Sequence, residues 1–172
     1  MANRSTLILT SASDYSFDLA GTGQYAWDYG FAVLWFALFE VTDQHLLNYE
    51  EDGETYLIPY LATSAIKARE NLQRRKTGLM PFLTPSGGIP GLKELEAVIA
   101  NAQGNIYLDA WEINSLGMEA DFLAECVRNV DALNLQPVLE QAYIRQSRYS
   151  FSDFDEAGDH PHPYCGYPYN ID

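Results

Sequence analysis

The stretch Phe31-Ala-Val-Leu-Trp-Phe-Ala-Leu-Phe39 is the longest apolar run in the chain, and it decides where the hydrophobic core lies. The run has nine residues, whereas a helix needs about 20 apolar residues to cross a bilayer. If the run is helical, apolar side chains cover its whole circumference, which is typical of a helix that other elements surround. We therefore predict a central buried helix over residues 29–39, with Asp28 as its N-cap.

Strand patterns occur on both sides of this run. Residues 7–9 form a short apolar segment between two threonines, and residues 106–111 are apolar except for Asp109. Both patterns predict strands. Residues 11–24 are polar and contain Gly, with aromatic and acidic side chains that alternate in their first half. This alternation predicts either an edge strand or a loop carrying aromatic side chains.

A hairpin is predicted where Asp52-Gly53 interrupts an acidic segment, because this dipeptide suits a tight turn between two strands. The strand after the turn begins at residues 55–58. Proline lacks the N–H that a central strand donates, so Pro59 should end this strand or place it at a sheet edge.

Helix patterns dominate the middle of the chain. Thr63 or Ser64 is the predicted N-cap of a helix that runs up to a connector rich in Gly and Pro at residues 77–91. On this helix we expect Ile66 to face inward. We expect Arg75 to face solvent or to lie near the C-terminal end, where a cation suits the helix dipole. Apolar residues at helical spacing predict further helices, over residues 92–104, 122–133 and 137–145.

The order of these elements predicts the fold class. Several helices per strand favour an α+β domain, with a small mixed or antiparallel sheet packed by about five helices. We expect residues 1–149 to form this single domain. Residues 150–172 are rich in acidic, Tyr and Pro residues without a period, and they predict an irregular tail or a packed loop.

Charge is the strongest functional signal in the composition. The chain has 24 acidic and 10 basic residues, for a formal net charge of -14. Phosphate binding requires a basic face, so nucleic acid is not expected as a direct ligand. Such an excess favours encounter with a basic protein partner. The absence of a secretory signal or a long apolar span, together with only two cysteines, predicts a cytoplasmic protein that does not act at a membrane.

Motifs for cofactors, metals and nucleophilic catalysis are incomplete in this sequence. The glycine-rich segments at residues 21–23 and 87–91 lack the pattern of a phosphate-binding loop. His160, His162 and Cys165 do not have the spacing of a zinc site. Cys126 falls on the apolar face of a predicted helix, where a buried thiol is expected. We therefore expect no cofactor, no metal and no catalytic residue.

Two carboxylates allow an alternative in which the protein is an enzyme. Asp109 and Glu112 lie on either side of Trp111 at the end of a predicted strand, where Asp109 and Trp111 should share a face. Paired carboxylates can perform acid–base catalysis, so a carboxylate-dependent hydrolase stays open. The competing interpretation is an ordinary polar face.

Two segments interleave acidic and aromatic side chains, a combination that suits a surface for Lys and Arg. The competing interpretation is a solvated hairpin tip and an acidic chain end. The candidate partner-binding residues are Tyr49, Glu50, Glu51, Asp52 and Glu54 in the first segment, and Phe151, Asp153, Phe154, Asp155 and Glu156 in the second.

The chain opens Met-Ala-Asn-Arg-Ser and continues through Thr6 and Leu7. This opening resembles an uncharacterised bacterial family that begins Met-Ala-Asn-Arg-Ser-Tyr-Leu-Tyr. Residues 1–5 and Leu7 match that pattern, while Thr6 and Ile8 replace its two tyrosines. In its small size, acidity and aromatic content, the chain also looks like the immunity proteins of polymorphic toxin systems. That likeness implies an immunity or antitoxin-like protein that neutralises a basic toxin domain by occluding its active site. A non-catalytic subunit of a bacterial assembly is a further alternative.

Overall fold

The protein combines a sheet with a layer of helices. The computed structural model describes residues 4–19, 25–28, 31–115, 118–135 and 167–168. Its strands are β1 (Arg4–Thr10), β2 (Tyr25–Asp28), β3 (Gln44–Glu51), β4 (Glu54–Ser64), β5 (Asn105–Asp109) and β6 (Tyr167–Pro168). The sheet order is β3-β4-β5-β1-β2-β6, with every neighbouring pair antiparallel. The predicted α+β class is confirmed, and the sheet is antiparallel rather than mixed.

The helices pack on one face of this sheet. They are α1 (Ala65–Ser86), α2 (Ile89–Ala100), α3 (Trp111–Asn114) and α4 (Phe122–Asp131), with short 3-10 helices at Phe17–Leu19, Val33–Leu38 and Val41–Asp43. None of the helices in the described part of the chain has the length and apolar character needed to cross a membrane.

The apolar run at residues 31–39 lies in the centre of the core, as predicted, and each of its side chains is at most 2% exposed. Its helix is a 3-10 helix over Val33–Leu38, so the longer helix predicted from residue 29 is wrong. Asp28 is the last residue of β2 and pairs with Arg4, and it therefore does not cap a helix. An all-apolar segment has no period, so its sequence cannot distinguish a short 3-10 helix from an α-helix.

Side chains of α1 satisfy the backbone of this buried run. The Arg75 guanidinium donates to the carbonyl oxygens of Ala37 at 2.8 Å and Phe39 at 2.6 Å. Asn71 donates to the carbonyl of Leu38 at 3.0 Å. Arg75 is only 5% exposed, so its predicted position in solvent is wrong. A carbonyl buried without a donor would cost free energy, and the guanidinium supplies several donors at once.

Helix α1 is longer than predicted. Ser64 is its N-cap and accepts a hydrogen bond from the Lys67 backbone N–H at 3.2 Å, but the helix continues through Pro81 and Pro85 to Ser86. The connector predicted at residues 77–91 is therefore wrong over most of its length. Burial of Leu79 and Leu83, each fully inaccessible, outweighs the local preference of Gly and Pro for a break. Ile66, predicted to face inward, is instead 63% exposed.

The hairpin between β3 and β4 has the predicted turn, with positive φ angles of 51° at Asp52 and 82° at Gly53. Pro59 does not end β4. Pairing between β4 and β5 begins only at Leu61, so Pro59 lies where β4 has a strand neighbour on one side.

Trp111 begins α3 and does not extend β5, so the strand predicted through Trp111 is too long. Residues 11–16 form a loop, which is one of the two alternatives that the sequence left open, and β2 was not predicted from the sequence. The helix predicted at residues 137–145 lies outside the described residues.

Burial of the central run predicts a large difference between two leucines. Leu34→Ala, at a position 1% exposed, should lower the free energy of unfolding by about 2–5 kcal/mol because it leaves a cavity. The same exchange at Leu57, which is 53% exposed, should lower it by less than about 0.5 kcal/mol. Urea unfolding measures both values, and equal losses would place the run outside the core.

Candidate binding surface

The β3–β4 hairpin extends past the rest of the sheet. Strand β5 pairs with β4 only over Leu61–Ser64, so residues 45–60, which we call the arm, pair only with each other. The arm contains seven cross-strand pairs, from His45↔Tyr60 to Glu51↔Glu54. Its outer strand β3 ends the sheet order. Among the described strands, none therefore covers either long edge of the arm.

The tip of the arm collects four of the predicted partner-binding acids, which are Glu50, Glu51, Asp52 and Glu54, all exposed. The arm contains no Lys or Arg. The Tyr56 hydroxyl donates to Glu54 at 2.9 Å. The tip is thus an exposed anionic surface, as the sequence predicts.

Large apolar side chains accompany these acids. Leu46 is 47% exposed and Leu57 is 53% exposed. Leu46 is paired with Pro59, two residues from Leu57, so both leucines lie on the same face of the arm. Tyr56, 43% exposed, lies on the opposite face. Sequence reasoning missed the leucines, because exposure of an apolar residue in a strand depends on what the other elements cover.

Tyr49 has a different environment from the acids beside it. Its ring is half-buried and packs edge-to-face on Trp111, with centroids 4.4 Å apart. It therefore braces the arm against α3. The other predicted segment, with Phe151, Asp153, Phe154, Asp155 and Glu156, lies outside the described residues.

An aromatic cleft lies at the base of the arm. Tyr15 comes from the loop after β1, His45 and Tyr60 from the arm, and Tyr107 from β5. The Tyr60 ring stacks with Tyr15 at 4.3 Å and with His45 at 5.4 Å between centroids. The cleft encloses about 430 Å³. No sequence signal joined these residues, because they meet only through strand pairing such as Ala62↔Tyr107.

A buried carboxylate holds Tyr15 in place beneath this cleft. Asp109 is 3% exposed, and it accepts hydrogen bonds from the Tyr15 hydroxyl at 2.5 Å, the Trp111 N–H at 2.9 Å and the Thr6 hydroxyl at 3.2 Å. Burial raises the pKa of Asp109, and these three hydrogen bonds act in the opposite direction. Burial also raises the pKa of Tyr15, and the nearby Asp109 charge adds to that effect.

Asp109 and Glu112 have different environments, although the Glu112 charge contributes to the raised pKa of Asp109. Glu112 is exposed and accepts a hydrogen bond from the Arg4 backbone N–H at 2.8 Å. Asp109 is not among the residues that line the cleft. Trp111 does not share a strand face with Asp109, because the helix α3 begins at Trp111.

The described part of the chain does not contain an arrangement of residues typical of a metal site or of a reactive thiol. No group of three or more His, Cys, Asp or Glu side chains in those residues is arranged to hold a metal ion. Cys126 is fully buried, as predicted, and burial raises the pKa of its thiol. A buried neutral thiol is a poor nucleophile.

Comparison with known proteins yields no relative. No family model, no curated protein and no solved structure matches this chain. The resemblance of the N-terminal residues to an uncharacterised bacterial family therefore stays a hypothesis, and the site must be interpreted from its own geometry.

Tyr15→Phe should lower the free energy of unfolding by about 1–3 kcal/mol, because it removes one donor from a buried carboxylate. Tyr56→Phe is the matched control, since its hydroxyl contacts an exposed acid and its loss should cost less than about 0.5 kcal/mol. Urea unfolding at pH 7 measures both. Equal effects would show that the contact between Tyr15 and Asp109 does not hold the loop.

The pH dependence of Asp109→Asn follows from the raised pKa of Asp109, whose ordinary value is 3.8. A raised folded-state pKa contributes stability below the unfolded pKa, and this contribution is lost as pH rises through the folded pKa. The variant should therefore gain stability relative to wild type as pH rises from about 4 through the folded-state pKa of Asp109.

Chemical unfolding across this pH range measures the difference between variant and wild type. Asp18→Asn, the same exchange at an exposed carboxylate, controls for the lost charge. A difference that stays flat or shrinks with rising pH would contradict the raised pKa.

Proposed function

We propose that this chain is a binding protein that docks its acidic arm on a basic protein partner, in the manner of an immunity or antitoxin-like protein. One observation carries the proposal: a projecting hairpin exposes Leu46 and Leu57 next to a tip with four acids and no base. Apolar anchors beside complementary charge are typical of protein interfaces.

The ion pairs of the described residues support this proposal. Four basic side chains of α1 pair with acids of the helical layer and of the segment before β3: Lys67 with Glu40 and Asp43, Arg74 with Glu40, Arg75 with Asp131, and Lys76 with Glu96. These cations compensate charge inside the fold. The acids at the arm tip thus remain available to a cationic surface in the partner.

The shape of the arm suits occlusion of an active site. Seven residue pairs at about 3.3 Å each give a ribbon on the order of 20 Å long. A two-stranded ribbon of this length is narrow enough to enter a cleft, where its backbone edges can also pair with strands of the partner. An isolated hairpin is only marginally stable in water, and a partner that covers the leucines would stabilise it.

The hydrolase alternative has less support. A catalytic carboxylate must reach its substrate, whereas Asp109 is 3% exposed and three internal donors occupy its oxygen atoms. The assembly-subunit alternative would use the same arm. It differs in that its partner should be inert when free, whereas a toxin should be harmful without this protein.

Site-specific photocrosslinking can identify the partner and test the surface. A photoreactive residue at position 57, in cells that express the protein, should give one dominant adduct with a basic protein. The same residue at Ile66, 63% exposed on α1, is the matched control. The gene for the captured protein should lie beside the gene for this chain, and its product should arrest growth unless this chain is co-expressed. The same adduct from both positions would contradict docking through the arm.

Association kinetics with the captured partner provide the quantitative prediction. Reversing Glu50, Glu51 and Asp52 to Lys should lower the association rate constant at least about tenfold at low salt and flatten its salt dependence. Leu57→Ala should act mainly on dissociation, by a factor of about 5 to 30, because an anchor is buried only after docking.

The control for charge reversal is a second triple variant, in which Glu70, Glu94 and Glu125 are changed to Lys. These exposed residues lie on α1, α2 and α4, so the net charge changes equally but the arm does not. Stopped-flow or surface-plasmon measurements compare the two variants. Equal effects would attribute steering to net charge alone and remove the arm from recognition.

A further inference from the structure

The aromatic cleft at the base of the arm has the composition of a cation site. Three tyrosine rings and one imidazole line it, and the Tyr15, Tyr60 and Tyr107 rings all contact one another, with centroids between 4.3 and 6.4 Å apart. Aromatic faces carry negative electrostatic potential and attract organic cations. The volume of about 430 Å³ falls within the usual range for ligand pockets.

Asp14 supplies a carboxylate at the mouth of the cleft. It is exposed, and Ser13 donates a hydrogen bond to its Oδ2 at 2.8 Å. Its charge adds to burial in raising the pKa of both Tyr60 and Tyr107, so it lies near both phenols. No Lys or Arg is among the described residues that line the cleft. The electrostatic potential there favours a cation over an anion.

We infer that this cleft binds a guanidinium group, as carried by an arginine side chain, with its N–H groups directed to Asp14. The planar cation packs against the rings of Tyr60 and His45, which are the more exposed ones, because Tyr15 and Tyr107 are only 7% and 3% exposed. Arginine fits better than lysine, because a planar, weakly hydrated guanidinium stacks on aromatic faces while it donates to a carboxylate. The polar rim, with Ser64 and Asn105, suits a group that carries several donors.

The cleft and the arm are neighbours, since His45 and Tyr60 belong to both. The assignment of the guanidinium to the basic protein partner rests on the proposed function. The affinity of the cleft for a guanidinium is independent of the proposed function, because it depends only on residues of this chain. The inference therefore adds a specific contact to a surface that otherwise acts by general charge.

The test uses the purified full-length chain and small probes. N-acetyl-L-arginine amide should bind with a Kd on the order of 1 mM and shift the ring signals of Tyr60, Tyr107 and His45 in NMR spectra. N-acetyl-L-citrulline amide has nearly the same shape without the charge, and it should bind at least about tenfold more weakly. Equal binding of the two probes, or shifts confined to the arm tip, would overturn the assignment.

Variants locate the site. Asp14→Asn and Tyr60→Leu should each weaken arginine-amide binding about five- to tenfold. Their matched controls are Asp18→Asn, an exposed acid of the same segment, and Tyr56→Leu, an exposed tyrosine of the arm. Circular dichroism checks that all four variants are folded. Controls that weaken binding as much as the test variants would show nonspecific attraction and overturn the inference.

Two further comparisons distinguish a free cation from a protein side chain, and the cleft assignment from the proposed function. Agmatine is a free guanidinium cation. If agmatine bound at least about tenfold more tightly than the arginine amide, this result would overturn the assignment to a protein side chain. If the arginine amide fails to bind while charge reversal of the arm still slows association with the captured partner, the inference falls and the proposed function stands. If the arginine amide binds and the arm variants have no effect, the proposed function falls and the cleft assignment stands.

Discussion

The fold depends on burying the apolar run of residues 31–39 together with its backbone. A 3-10 helix of six residues leaves carbonyl groups at its C-terminal end that its own turns cannot satisfy. Arg75 and Asn71 from α1 donate to these carbonyls, and Arg75 also contacts Asp131 at the end of α4. One buried guanidinium thus joins the 3-10 helix, α1 and α4.

The two faces of the sheet are covered by different elements. Leu7, Leu61 and Leu108 face the helices and belong to the main core. On the opposite face, Ile8 and Tyr107 pack under Tyr15 in a smaller cluster. The covering loop is short, and the aromatic cleft lies where this loop ends and the arm begins. Among the described residues, no further layer covers the sheet at the candidate site.

Charge is also distributed unevenly over the described residues. The cations of α1 pair with acids of the helical layer and of the segment before β3, where they stabilise the fold. The acids of the arm tip lie at the exposed end of the hairpin and Asp14 lies at the cleft, next to exposed apolar or aromatic side chains. This arrangement concentrates negative electrostatic potential at the surface where a cationic partner would associate.

The sequence by itself determined the α+β class, the burial of the central run, the Asp52-Gly53 turn and the acidic tip, because each follows from local composition or short-range periodicity. Tertiary structure alone decided the length of α1, the burial of Arg75 and the environment of Asp109. It also decided the meeting of Tyr15, Tyr60 and Tyr107, which are up to 92 positions apart in the chain. The physical reason is that burial and strand pairing arise between distant segments, and their free energy outweighs the local preferences that a sequence pattern records.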